Sequence, residues 1–459
     1  MRRLLGLLIL LAVMFCSCDS AETETKEDDI AKSDLNSNFA DDASNSLSKY
    51  VMATASQVMV YGSGNDNGFY EVYLNDDSSM NLMYTDYASA NQIYLCSRSN
   101  CSHCDETCSS WIAPYGGMVF PVAMNDNLAL VYCSTGLANN SDCSKVEIMS
   151  ADGGSRKTVY TFSDDVKVYV GAATDNENIV IRTTKTETTS KGINVIYSLI
   201  KINVFTGEVS EIYSTVKQYN ELQKSMFLLG VCDYGFIVKT ITVNSYDECG
   251  DADTQFENMR RATVHDVYLL PYEDTQNAVI LLSFLQDEVY EEPYKNSIVF
   301  LKNNNGKYSL NVLNIENMNE TVLVDDFDST EVENNINARD FDDTFIYGFV
   351  DDYVLLNHMY DDHYLEDMSI EMLYTQYAVN LSTGQMKEIE LSNYYLVTRH
   401  PIEILAQFPG HLLVHAFANE ADGVVTKHMG IISVSDFLNS QESYNMINQI
   451  KTVQSKLSK

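Results

Sequence analysis

From about Tyr50 onward the chain alternates short apolar and aromatic runs with turn signals. F-Y-E-V-Y-L (69–74), L-A-L-V-Y (128–132), V-K-V-Y-V (166–170), F-I-V-K-T-I-T-V (236–243), S-I-V-F-L (297–301) and F-I-Y-G-F-V (345–350) carry β-branched and aromatic residues, many at a spacing of two. That pattern predicts half-buried strands. Between runs, Gly with Asn or Asp recurs at Asn65 to Gly68, Ala151 to Gly154, Phe205 to Glu208, Asn303 to Gly306, Ser382 to Gln385 and Ala421 to Gly423. These residues supply the positive φ of tight hairpin turns. Thirty tyrosines and only six prolines suit extended strands. Helical spacing is confined to the tail after Ser435, where Tyr444, Ile447 and Val453 recur loosely.

Three hairpins share one plan: K-V-E-I-M-S-A-D-G-G-S-R-K-T-V-Y (145–160), S-L-I-K-I-N-V-F-T-G-E-V-S-E-I-Y (198–213) and Q-Y-A-V-N-L-S-T-G-Q-M-K-E-I-E (376–390). Each resembles the outer hairpin of a β-propeller blade, recurring at intervals that leave room for loop insertions. The expected fold is all-β, a propeller of about seven four-stranded blades (six to eight) with a short C-terminal helix. Blades are expected near 50–88, 118–163, 166–214, 226–284, 297–324, 344–391 and 402–434. Two stacked β-sandwiches would show a similar rhythm of strands and turns.

The start, M-R-R-L-L-G-L-L-I-L-L-A-V-M-F-C-S-C-D-S, sets two arginines before an apolar run from Leu4 to Phe15, too short for a spanning helix and of the length of an export signal. The small residue and cysteine that follow resemble the lipobox of bacterial lipoproteins, which implies diacylation of Cys18; Phe15 departs from the usual leucine. Two acyl chains anchor stably. Residues 18–47 are acidic and rich in Ser and Asn, with Phe39 as their only aromatic, so they are expected to be a disordered tether. The expected organisation is a signal peptide over 1–17, the tether over 18–47, the propeller over 48–434 and a helical tail over 435–459. Localisation follows: lipid-anchored at the extracytoplasmic face of the cell membrane.

Formal charge is −36, and −38 once Arg2 and Arg3 leave with the leader. A surface this acidic repels phosphate backbones, and no Lys/Arg stripe with interleaved aromatics interrupts it, so no nucleic-acid partner is expected.

Ten cysteines change the picture more. Four of them fall in Y-L-C-S-R-S-N-C-S-H-C-D-E-T-C-S-S-W (94–111). Cys96, Cys101, His103 and Cys108 follow the spacing C-x4-C-x-H-x4-C, with Cys104 beside the histidine. Three thiolates and an imidazole suit a structural zinc. Export to an oxidising exterior instead favours one or two disulfides pinning the loop, and a redox-active thiol is a further option. The bridges leave His103 idle and the metal makes it necessary; both stand open. With the lipobox and the blade-like hairpins, this stretch resembles a set of propeller-like surface lipoproteins of Gram-positive bacteria, mostly of unassigned function; Cys104 departs from their pattern. Cys133 with Cys143, and Cys232 with Cys249, are candidates for further bridges, with buried free thiols as the alternative for Cys133 and Cys232.

Other stretches carry weaker signals. His358 and His363 with Asp361 and Asp362 offer metal ligands that a strand would split between two faces, and His411 and His415 share one strand face without a third ligand. The acidic loops Asp247 to Asp253 and Asp325 to Asp328 lack the EF-hand pattern. No G-x-S-x-G, H-E-x-x-H, G-x-x-x-x-G-K-[ST] or G-x-G-x-x-G occurs. The chain is therefore expected to be a non-catalytic binding module for a glycan, peptide or protein, with Tyr-rich stretches such as N-S-Y-D and S-N-Y-Y-L-V as stacking platforms. The alternative is a surface hydrolase or lyase acting on polysaccharide or peptide across the propeller face.

Overall fold

A computed structural model describes residues 49–54, 62–134, 143–286, 288–304, 307–327, 343–364, 370–395, 398–421 and 424–456. The leader, Cys18 and the tether lie outside these residues, as do Gly306, Asp328 and Gly423.

Seven antiparallel meanders succeed one another along the chain as the blades of a propeller. Blade 1 joins Gly62–Gly64, Gly68–Leu74, Met80–Asp86 and Asn91–Tyr94; blade 2 joins Gly117–Ala123, Asn127–Ser134, Lys145–Ser150 and Lys157–Thr161. Blade 3 runs from Val166–Thr174 to Val209–Lys217, blade 4 from Gln223–Cys232 to Val279–Leu285 and blade 5 from Val289–Tyr294 to Glu320–Phe327. Blade 6 spans Asp343–Val350 to Met386–Ile389, and blade 7 begins with Ile404–Phe408, His411–Ala421 and Val424–Ser433. In each blade the first strand is innermost, against the neighbouring first strands around the axis.

Many strands read as unbroken apolar runs because both of their faces are buried. Consecutive residues serve opposite blade interfaces: Val354 and Leu356 pack between blades 5 and 6 and Leu355 between 6 and 7, whereas Leu412 and Val414 face blade 6 and Leu413 faces blade 1. Each fully buried side chain of this kind contributes about 1.5–3 kcal/mol. The shared hairpin plan has a local cause. Asn203 and Asn380 close their turns by accepting backbone N–H bonds from the residues two and three ahead, and Gly207 and Gly384 then take φ of +74° and +69°.

Three elements depart from expectation. Val51–Thr54 does not start blade 1; it pairs antiparallel with the free inner edge of Val166–Thr174 in blade 3 and touches the innermost strands of blades 1, 2 and 4, so it lies inside the ring. The tail is helical only over α2 (Val434–Leu438, following α1 of blade 4, Ala252–Ala262); Asn445–Met446 and Val453–Lys456 instead pair with the open edge of Val424–Ser433. An unpaired blade edge offers backbone bonds that loosely spaced apolar residues could not match in an isolated helix. Helix α1 lay hidden in the stretch read as an acidic turn: Asp251 caps it by accepting from Thr254 N, and Glu257 bridges Arg260 and Arg261 in its last turns.

Ring closure uses the same tail. Gln92 in the outermost strand of blade 1 accepts from Ile450 N and Lys451 N, and Asn448 exchanges backbone bonds with Ala90 and Gln92. Gln92 Nε2 also donates to Glu71 Oε1 at 2.8 Å. Burial pushes Glu71 up to about 7, the Gln92 bond opposing it. An acid raised above its ordinary 4.5 contributes stability fully present below pH 4.5 and lost as pH rises through 7. Glu71→Gln, which keeps the acceptor and removes the charge, is thus expected to leave stability at pH 4.5 nearly unchanged. At pH 8 it should add ~1–2 kcal/mol, discounted because solvent reaches part of the side chain. Urea midpoints at the two pH values check this; a gain at pH 4.5 as large as that at pH 8 would contradict it.

Candidate metal centre

The outermost strand of blade 1 is split. Asn91–Tyr94 pairs with Met83 to Asp86, and Trp111–Ile112 pairs with Met80 and Asn81 of the same partner strand. Leu82 joins the halves, accepting from Leu95 N and donating its own N–H to Ser110 O. The sixteen residues from Leu95 to Ser110 are thus an excursion from one strand, held at both ends by one residue. Blade 2 holds it from the side: Ser97 N and Ser109 Oγ both donate to Gly153 O, at 3.4 and 2.6 Å. Gly153 has φ of +86°, and an added Cβ would stand 2.8 Å from the backbone N of Cys96, so this docking requires glycine.

Within the excursion the Sγ atoms of Cys96, Cys101 and Cys108 and a ring nitrogen of His103 lie within 4.8 Å of one another. His103 Nδ1 is 3.3 Å from Cys108 Sγ, and the imidazole stacks on Tyr94 at 4.3 Å. His103 takes φ of +56° and Asn100 takes +58°, turns that bring the chain back on itself twice. Asn81 Nδ2 fixes the second by donating to His103 O. A tetrahedral metal with bonds of about 2.3 Å sets sulfurs ~3.8 Å apart, which the upper limit of 4.8 Å found here accommodates. A Cys3His cluster that could hold a metal is therefore present.

The electrostatics suit a cation. Burial alone pushes the Cys96 thiol up, but hydrogen bonds from the Arg98 backbone, Ser109 and the neighbouring thiols bring it down to about 7. Burial, then hydrogen bonding with Cys101, pushes Cys108 up to about 11. One thiolate forms readily and its neighbours resist a second charge, which a divalent cation would reverse.

The other sequence candidates do not converge here. Cys104 is exposed, and its thiol donates to Ser102 Oγ rather than joining the set. Cys133 is buried and Cys143 donates to Asp164 Oδ1; Cys232 is buried against Gly235 O and Cys249 is exposed beside Asp247. His358 is buried with Nδ1 2.8 Å from Thr344 Oγ1. His411 lies near the blade 7 turn with Nδ1 3.1 Å from Pro409 O, whereas His415 is buried with Nδ1 2.7 Å from Glu403 Oε2, which also accepts from Lys427. Tyr394 of the S-N-Y-Y-L-V stretch is 65% exposed.

Sequence reasoning missed a cleft of about 440 Å³ where the metal loop meets blade 2, lined by Trp111, Tyr115, Tyr132, Lys145, Glu147 and Arg156. Its residues are far apart in sequence; the sole tryptophan directly after the cysteine stretch was the available signal.

No family model and no curated protein matches the chain. Among solved structures it is similar to a puromycin-hydrolyzing peptidase of Mycobacterium tuberculosis, at 8% identity and a TM-score of 0.47, over 87% of this chain and 55% of that one. An uncharacterized protein of Listeria monocytogenes matches at 11% identity and a TM-score of 0.40, over 87% of this chain and 95% of that one. TolB of Acinetobacter baumannii matches at 11% identity and a TM-score of 0.32, over 89% and 80%. The chain thus spans about half the length of the peptidase.

Proposed function

We propose that the chain is a lipid-anchored extracytoplasmic propeller that binds a glycan, peptide or protein partner without transforming it, and that Cys96, Cys101, His103 and Cys108 hold a structural zinc. The observation that carries the binding role is the strand Val51–Thr54 inside the ring. A propeller enzyme assembles its chemistry from several blades around the axis, and here the chain's own backbone takes up part of that space. Ligands then meet the rim and the faces.

Zinc is favoured by its ligand chemistry. Soft thiolates with one imidazole, within 4.8 Å of one another, select it over calcium or magnesium, and four protein ligands leave no open position for a catalytic water. Anchoring through Cys18 is supported by the leader and the tether sequence. The described chain begins at Lys49, and Tyr50 packs on Phe236 and Tyr272 beside the tight turns of blade 4.

Two measurements test the reading. Cys18→Ala is expected to move the protein from the membrane to the soluble fraction. The full chain, incubated with surface polysaccharides and peptides, should retain ligand without shortening it, as read by chromatography of the recovered ligand. Time-dependent fragments would instead favour the hydrolase or lyase.

A further inference from the structure

Two residues that line the cleft between the metal loop and blade 2, Trp111 and Arg156, each carry a buried donor without a partner among the described residues, Nε1 and Nη1. A buried N–H left unbonded costs about 1–3 kcal/mol, so two in one cleft are expected to meet an acceptor from outside. Glu147 cannot be that acceptor. Its carboxylate already takes Lys145 Nζ at 2.8 Å, Tyr132 O–H at 2.8 Å and Thr158 O–H at 3.4 Å, with Arg156 Nε 3.5 Å away. Two cations share this one buried carboxylate, so the interior of the cleft keeps a positive charge, with Glu106 exposed at its mouth. In a chain of −36 such an island is unusual.

The walls are aromatic: Tyr115 meets Tyr132 edge to face at 5.2 Å, Lys145 lies over the Tyr132 ring, and Trp111 follows the metal loop. The volume suits one or two sugar rings. An extended peptide would need a longer groove with backbone partners, and a free amino group would find the carboxylate inside the cleft, Glu147, already engaged, leaving only Glu106 at the mouth.

We propose that this cleft is a glycan subsite that takes an acidic sugar, a hexuronate, its carboxylate accepting from Arg156 and Trp111 and its ring packing on the aromatic wall. This rests on the binding-module reading and names its ligand class. The metal cluster then has a positioning role, because Cys108 O accepts from Trp111 N at 3.2 Å and so ties the cluster to the cleft wall.

Trp111 is the only tryptophan, so intrinsic emission reports the site directly. The full chain is titrated with a glucuronate-containing disaccharide, a glucose disaccharide and a tripeptide with a free carboxylate, each by fluorescence and calorimetry. The expected result is a saturable emission change with the uronate only, its Kd weakened about tenfold or more in Arg156→Lys, which keeps charge but loses the guanidinium fork. An equal response to glucose, or a response to the peptide alone, overturns the proposal. Calorimetric binding with Trp111 emission unchanged and Arg156→Lys neutral would sink the cleft while leaving the binding module standing. Silence with both disaccharides and the tripeptide overturns the cleft, and the binding module then depends on the retention experiment above.

Discussion

Tyr50→Ala is expected to destabilise the propeller by ~3–5 kcal/mol, the range for deleting a large buried aromatic. Tyr50 is 4% exposed, and its ring lies 5.0 Å from Phe236 and 5.5 Å from Tyr272, which in turn meet edge to face. Burial, then the charge of Asp175 and a hydrogen bond to it, push the phenol well above its ordinary value. Removing the ring opens a cavity between blades 3 and 4, in a cluster with Met226, Phe236 and Leu270, and takes a hydrogen bond from Asp175. Tyr50→Phe separates the two effects and should cost only ~1 kcal/mol. A chain starting at Gly62 should lose more than Tyr50→Ala, because the ladder from Val51–Thr54 to Val166–Thr174 goes as well. Urea unfolding of the three variants checks the order. A loss below ~1 kcal/mol for Tyr50→Ala would show that the inner strand is a passenger rather than part of the core.

The interior strand also marks where the sequence stopped being legible. Blade boundaries from 117 to 217 follow the expected ones within three residues, because the Asn-x-x-Thr-Gly turn is a local device: Asn203 and Asn380 bond their own turns whatever surrounds them. Val51–Thr54 has the same β pattern, but nothing local tells a strand which of several blades it will join. Blade 5 was expected from Ser297, and its innermost strand, Val289–Tyr294, was not, since Glu291, Glu292 and Pro293 interrupt its apolar pattern. Glu291 is buried beside Lys239, 2.5 Å away in blade 4, a partner distant in sequence. The Cys3His set was readable as a spacing. Its docking on Gly153, and the cleft that docking creates with Arg156, needed blade 2 folded alongside.

Cys108→Ser is expected to lower bound zinc from about one per chain to below ~0.1. Cys108 is the buried member of the cluster, 2% exposed, and its Sγ lies 3.3 Å from His103 Nδ1. Structural zinc sites of this type supply ~10 kcal/mol or more of binding free energy at neutral pH. Here the strand halves on either side stay anchored through Leu82, so the global loss should be only a few kcal/mol while the excursion itself loosens. Arg98 makes that visible. Its guanidinium is tied to Thr107 O across the loop, and trypsin should cut after it in Cys108→Ser or in chelator-treated protein far faster than in the zinc-loaded chain. Cys104→Ser, outside the cluster, should leave zinc content and cleavage unchanged. Because the ligands bind zinc as thiolates, metal should leave as pH falls below about 5, with protons competing for each sulfur. Elemental analysis and thiol titration of purified chain decide the matter. One zinc with Cys96, Cys101 and Cys108 reactive only after chelation supports the centre; no zinc, with those thiols recovered only after reduction, would replace it with disulfides.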